Sequence, residues 1–195
     1  MTNFDCIVVG GGMVGAAAAL AVANLGLTVA VVEMQEPKAK QTTEFDLRVS
    51  AISIGSEQLL KRLGAWRNID FTRICPYRRL GVWEQELAYT EFDATSIGQP
   101  HLGHIIENHQ LQLALWQDMV KHQNITLFCP EHVNALTQTS SSVAVTLSSC
   151  ELRAKFLLAA DGANSSIRSL VNIGLTGWQY KQSAMLINVT TQHEQ

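Results

Sequence analysis

The sequence predicts an α/β fold: a three-layer, Rossmann-like nucleotide-binding domain with an antiparallel β excursion and the start of a second, mixed-sheet domain. Three observations predict it. Asp5-Cys6-Ile7-Val8-Val9 is a short, apolar, β-branched run that leads straight into a cluster of glycines. Residues 16–25 are alanine-rich and read as helix, with Gly26 where a helix C-terminal glycine belongs. Residues 28–32 form the next apolar run, and Glu33 closes it. Strand, turn, helix and strand in that order make the repeating unit of a parallel sheet.

The turn Gly10-Gly11-Gly12-Met13-Val14-Gly15 fits G-x-G-x-x-G at Gly10, Gly12 and Gly15. In that pattern the first glycine makes the tight turn. The second lets a pyrophosphate approach the backbone, and the third lets helix and strand pack closely. The helix N-terminus offers free N–H groups and partial positive charge to the phosphates. Glu33 stands roughly 20 residues on, where an acid bonds a ribose hydroxyl. An acid there favours FAD or NAD over NADP. The bland alternative is a tight strand-to-helix turn in some other α/β protein.

The bulk properties narrow the class. At 195 residues the chain is long enough for a sizeable core, and 47% hydrophobic against 16% charged residues is the balance of a folded chain. A net charge of −3 without a basic block carries no nucleic-acid signature. Cys6, Cys75, Cys129 and Cys150 are scattered without a C-x-x-C pair, so a reducing cytoplasm is the simplest compartment. Cys6 falls within the first strand, as a small buried hydrophobe. No apolar run approaches the roughly 18 residues of a membrane span, which leaves peripheral contact, at an inner membrane for example.

Residues 36–43 read as a loop. Asp46-Leu47-Arg48-Val49-Ser50-Ala51-Ile52 precedes a helix over 56–63 with Ser56 as N-cap and Gly64 as stop. Arg48 either lies against a phosphate or electron-rich ring or is an ordinary surface arginine; spacing does not separate the two. Strands are expected over 81–84 and 88–92, opening a second antiparallel sheet. The adjacent pair Arg78-Arg79 reads as solvated. His101, His104 and His109 invite a metal, but no acid or cysteine nearby completes a ligand set, so none is assigned. Residues 108–121 carry a helical apolar face of Leu111, Leu115, Trp116, Met119 and Val120. Residues 125–128, 132–136 and 143–147 read as a three-stranded antiparallel excursion. A buried strand over 155–160 then ends at Asp161-Gly162-Ala163-Asn164-Ser165-Ser166-Ile167-Arg168, a ligand-facing turn into a helix, or else an ordinary strand–turn–helix.

Taken in order, Gly10–Gly15 with Glu33, the segment around Arg48, and the Asp161-Gly162 turn resemble the single-component flavin aromatic hydroxylases of the para-hydroxybenzoate hydroxylase-like fold. Pro76-Tyr77-Arg78-Arg79-Leu80, Glu107-Asn108, Ala114-Leu115-Trp116 and Trp178-Gln179-Tyr180 are similar to the ubiquinone-biosynthesis hydroxylases among them, in particular those acting on a methyl-methoxy-benzoquinol ring. The resemblance covers essentially the whole chain. It implies that Gly10, Gly12, Met13, Val14 and Gly15 hold the FAD pyrophosphate and Glu33 the adenosine ribose. Arg48 would lie on the pyrophosphate and flavin side, and Asn108 at the ribityl region. Asp161 and Gly162 would touch the phosphates and help receive the nicotinamide, with Arg168 bracing the turn. The catalytic group would be the flavin itself rather than a side chain. NAD(P)H would reduce it, oxygen would add as a C4a-hydroperoxide, and one oxygen atom would pass to a polyprenyl quinol or phenol ring.

That family's second FAD motif, Gly-Asp followed by small residues and histidine, is not found here, so a fragment of a longer hydroxylase is expected. The expected domains are 1–180, an FAD-binding domain lending strands from 76–100 to a substrate-side sheet, and 181–195, the opening strand of a substrate domain over 183–191. Left without partners, that strand would pair with another chain. Two other readings stand: a hydroxylase or halogenase of the same fold with another aromatic substrate, and a non-catalytic FAD-binding or assembly module. The partners expected are the quinol, oxygen, and a synthesis complex or second copy of the chain.

Overall fold

The structure is a computed structural model in which residues 2–39, 44–84 and 88–192 are described. In chain order the regular elements are β1 (Thr2–Val9), α1 (Met13–Ala23), β2 (Val29–Val32), β3 (Val49–Ser53), α2 (Ile54–Leu63), β4 (Cys75–Tyr77), β5 (Arg79–Trp83) and β6 (Tyr89–Asp93). They continue with β7 (Gly103–Glu107), α3 (Asn108–Met119), β8 (Ile125–Phe128), β9 (Ala135–Gln138), β10 (Val143–Thr146), β11 (Glu151–Ala159) and α4 (Ser166–Leu170). The chain divides into two compact units, 1–39 with 112–182, and 40–111 with 183–195. The expected bounds were 1–180 and 181–195. Within 40–111 the strands pair with one another.

The first unit is built on one six-stranded sheet of order β8-β2-β1-β11-β10-β9. β1 is central, parallel to β2 on one side and β11 on the other. Strands covered on both faces need apolar residues throughout. Cys6, Ile7, Val8 and the whole of β2 are accordingly buried. Burial also pushes the Cys6 thiol up to about 11, so this cysteine packs as a hydrophobe and does not titrate near neutrality. The parallel part and the antiparallel part share a core: Ile7, Val9, Ala30 and Val32 pack with Val143, Val145, Leu152 and Ile167.

Two expectations are corrected here. Residues 125–128 belong to the parallel sheet, where β8 pairs with β2 in register Val31 to Leu127. The antiparallel excursion is therefore β9 and β10 joined onto β11, and its first strand runs over Ala135–Gln138 rather than 132–136.

The second unit holds a three-stranded antiparallel sheet, β3-β7-β4, and a separate pair, β5-β6. The pair was expected; the three-stranded sheet was not, because β3 and β4 are exposed or half-exposed and lack a buried apolar face. α2 begins earlier than expected. Its N-cap is Ser53, whose hydroxyl accepts from the Ser56 N–H, and Gly64 closes it in the left-handed region at φ 90°. The expected strand over 183–191 is irregular backbone. Met185, Ile187 and Val189 are exposed, and among the described residues no strand pairs with them, so there is no ladder to form. The side chain of Asn188 donates to the Phe45 carbonyl at 2.9 Å. Residues 40–43 of the expected loop, residues 85–87 between β5 and β6, and residues 193–195 lie outside the described residues. Among the described residues no helix is long and apolar enough to cross a membrane.

The capping geometry has a direct test. Ser53→Ala is expected to destabilise by about 1 kcal/mol in denaturant titration, while Ser56→Ala, which keeps the backbone N–H that Ser53 accepts from, changes stability by less.

Candidate functional site

The glycine turn owes its shape to two close approaches. Gly10 has φ +101°, and a Cβ there would lie 2.4 Å from the Ala160 carbonyl oxygen. A Cβ on Gly15 would lie 1.7 Å from the Gly10 carbonyl oxygen. Both positions must be glycine for β1, α1 and the end of β11 to meet. Gly12 differs: a Cβ there meets nothing within 4 Å. Its missing side chain leaves open space at the start of α1, a helix with neither a capping side chain nor an acid in its first turn. Open space before uncapped N–H groups is what a phosphate requires.

Glu33 sits against this turn. Its Oε2 accepts from the Gly11 N–H in a short hydrogen bond, and its Oε1 accepts from the Gln35 N–H at 3.0 Å. Each oxygen keeps a further lone pair, so the carboxylate can brace the turn and still accept from a hydroxyl. Gly11 itself is confined by Trp116 of α3: a Cβ there would come 2.8 Å from the indole.

Across the cleft, Asp161 organises the turn after β11. It accepts from the Ser165 hydroxyl at 2.6 Å, the Ser166 hydroxyl at 3.3 Å and the Ile167 N–H at 3.1 Å. Burial opposes its ionised form, but these bonds outweigh burial and hold the carboxyl below its ordinary value. Arg168 enters the turn through its backbone, donating from N–H to the Ser165 hydroxyl at 3.0 Å. Gly162, at φ +83°, has no heavy atom within 4 Å of where a Cβ would be.

Gly10, Gly12, Glu33, Asp161 and Gly162 line one cleft of about 340 Å³, within the range of small-ligand sites. Gln112, Glu131 and His132 line it too and were missed, since nothing local in the sequence marks them. Gly15 is buried behind the turn, Val14 is exposed and Met13 half-exposed. Arg48 and Asn108 lie in the other unit, where they are neighbours: the Asn108 N–H donates to the Arg48 carbonyl at 2.9 Å. The Ser50 hydroxyl donates to Asn108 Oδ1 at 2.5 Å. The Arg48 side chain is exposed.

A second buried acid fixes the segment carrying Arg48. Both carboxylate oxygens of Glu107 accept from Arg73, through Nε and Nη2 at 2.8 Å each, and Oε1 also accepts from the Asp46 N–H at 2.6 Å. Arg73 Nη2 donates in addition to the Glu44 carbonyl at 2.8 Å. The guanidinium fork, aided by the Asp46 N–H, holds the Glu107 carboxyl below its ordinary value against burial. Sequence reasoning missed Arg73 because 34 positions separate the pair.

A third acid answers the metal question raised by the histidines. Glu57 of α2 comes to His101 and His104, so an acid does stand beside two of them; His109 is not in the group. Glu57 lies 44 positions from His101, out of reach of any local pattern.

Two measurements test these assignments. Gly15→Ala is expected to lower the thermal midpoint sharply, whereas Gly12→Ala leaves it nearly unchanged. For Glu107, a depressed carboxyl in the folded chain contributes stability above its unfolded value that is lost as pH falls through the folded one. Acid denaturation of Glu107→Gln should therefore begin from a lower stability at neutral pH and depend less on pH below the ordinary carboxylate range.

The comparisons with known proteins agree with this geometry. Residues 3–195 match the FAD binding domain family. The chain is 43% identical to 3-demethoxyubiquinol 3-hydroxylase of Escherichia coli over 100% of its own length and 51% of that protein. It is 31% identical to the ubiquinone hydroxylase UbiL of Rhodospirillum rubrum, covering 97% of the chain and 44% of the relative. It spans about half the length of the curated relatives it matches. Among solved structures, p-nitrophenol 4-monooxygenase PnpA of Pseudomonas putida superposes at a TM-score of 0.72 with 20% identity, over 91% of this chain and 46% of that one, which shows a shared fold. The chain belongs to the FAD-binding domain family.

Proposed function

We propose that the chain is the FAD-binding part of a monooxygenase that hydroxylates a polyprenyl benzoquinol or phenol ring in ubiquinone biosynthesis, with NAD(P)H as reductant and O2 as oxidant. The observation that carries the reading is the open space at Gly12 beside the uncapped start of α1, in a chain 43% identical to a 3-demethoxyubiquinol 3-hydroxylase. The residues present fit the cofactor. Gly12 and the first N–H groups of α1, at Met13 and Val14, would take the diphosphate. Glu33 would accept from a ribose hydroxyl, and Gly162 leaves room beside Asp161. Arg48 and Asn108 are proposed for the flavin end. When bound, the flavin supplies electron transfer from the nicotinamide and activation of oxygen.

The chain's own residues bind and orient. Gly10 and Gly15 set the turn that brings Gly12, at the start of α1, to the cleft, and Glu33 steadies Gly11 within it. Asp161 stays ionised and holds the start of α4, which keeps the opposite wall in one conformation. The cellular site is proposed as cytoplasmic, with peripheral contact at the membrane that holds so apolar a substrate.

The test starts with purified chain incubated with FAD and desalted. The expected result is retained flavin absorbance, lost in Gly12→Glu, whose side chain would fill the open space. Holding no flavin would overturn the reading at its base. With flavin retained, NADH and a short-chain demethoxyubiquinol should yield a product heavier by one oxygen in mass spectrometry. Oxygenation of a different phenol in its place would move the proposal to a same-fold hydroxylase with another substrate.

A further inference from the structure

We propose that Glu57, His101 and His104 form a binding site for a first-row divalent cation of the zinc type, which clips α2 to β7 within the 40–111 unit. Glu57 Oε2 meets His101 Nε2 at 2.9 Å and His104 Nδ1 at 3.0 Å, and one ligand atom from each residue falls within 4.8 Å of the others. A zinc ion with bonds of about 2.0–2.1 Å holds tetrahedral donors roughly 3.4 Å apart. The Glu57–imidazole distances therefore need to open by only a few tenths of an ångström. Two imidazoles and one carboxylate are a zinc donor set, with water as the fourth ligand.

The site is built before any ion arrives. The backbone between the histidines is pinned, with the Leu102 N–H donating to Tyr77 at 2.8 Å and its carbonyl accepting from Ile54 N–H at 2.9 Å. Gly103 brings β7 against the end of β3 where no side chain fits: a Cβ would lie 1.9 Å from the Ile52 carbonyl oxygen. His101 and His104 are thereby carried to one carboxylate.

Lys61 Nζ donates to the other oxygen, Glu57 Oε1, at 2.6 Å, which orients the carboxylate and leaves Oε2 to the imidazoles. Trp66, itself buried, packs its edge on His104 with ring centroids 5.4 Å apart. Only 4% of Glu57 is exposed, so the carboxylate is held dry at a point where three donors converge.

Without a cation, each imidazole donates an N–H to Glu57 Oε2, since a carboxylate oxygen only accepts. A metal takes the lone pair at those same two ring atoms, which leaves the N–H of His101 on Nδ1 and that of His104 on Nε2.

The test uses tag-free chain treated with a chelator, dialysed, and titrated with Zn²⁺ by calorimetry and with Co²⁺ by visible absorption. One equivalent should bind, Co²⁺ should show the intense ligand-field bands of a four-coordinate site, and Zn²⁺ should raise the thermal midpoint. His101→Ala and His104→Ala should each weaken binding by more than the roughly 10–100-fold that loss of an outer partner costs. His122→Ala, whose ring meets Asn24 instead, should bind as the parent does. No binding by the parent chain would overturn the proposal and leave a purely hydrogen-bonded cluster. Binding of unchanged affinity in both His101→Ala and His104→Ala would overturn it as well, placing the ion elsewhere.

Discussion

The approach of Gly15 to the carbonyl of Gly10 is the contact on which the first unit depends. A helix can start at the carboxyl end of a central strand and still lie flat on the sheet only if its first turn passes almost through the strand's last peptide. The space available, 1.7 Å to where a Cβ would be, admits hydrogen and nothing larger. Once α1 is placed there, its buried face of Gly15, Ala16, Ala19 and Ala23 is made of small residues that keep the layers close, with Leu20 the one large side chain on it. The residues of β1 beneath are correspondingly shut from water. Close packing and an open phosphate position are two results of one turn. Gly10 and Gly15 spend their missing side chains on backbone, and Gly12 spends its own on empty space.

The two acids of the cleft fit this picture electrostatically. A carboxylate near a phosphate is repulsive, yet Glu33 and Asp161 both line the cleft. Each is tied to hydrogen-bond donors beside it: Glu33 to the N–H groups of Gly11, in the glycine turn, and of Gln35, Asp161 to two serine hydroxyls and the Ile167 N–H of its own loop. Charge-assisted bonds of this kind are strong and hold both loops without a ligand. What remains for a ligand is lone-pair capacity facing the cleft, which suits the hydroxyls of a ribose and disfavours a second phosphate on it.

Local pattern made the βαβ start and the Asp161 turn legible in the sequence, because every residue needed for them lies within a few positions of the next. In the structure Gly10, Gly12 and Glu33 line one cleft with Asp161 and Gly162, a convergence that the family resemblance implied and no local pattern marks. The sheet β3-β7-β4 was not legible, since its strands are short and half-wet and their pairing joins Val49 to Glu107 across most of the unit. The helix cap moved from Ser56 to Ser53 because either serine satisfies the composition rule, and only the backbone path chooses between them. Residues 183–191 were expected as a strand from the family resemblance, and the apolar run Ala184-Met185-Leu186-Ile187 is compatible with one. A strand also needs a partner, which the sequence of the strand alone does not specify.

Most hidden of all were the buried acids of the second unit, Glu57 and Glu107, the two charged residues buried among those described. A buried carboxylate is costly unless it is fully answered, and its answer dictates which distant segments must meet. Glu107 is answered by the planar fork of Arg73, a partner always charged and matched to both oxygens, so that junction has one state. Glu57 is answered by one ammonium and two imidazoles. Imidazoles can exchange a proton for a metal ion at the same atoms, which an arginine never does. The same need to satisfy a buried carboxylate thus makes a rigid brace at one end of β7 and an exchangeable one at the other, and the difference lies entirely in the chemistry of the donors recruited.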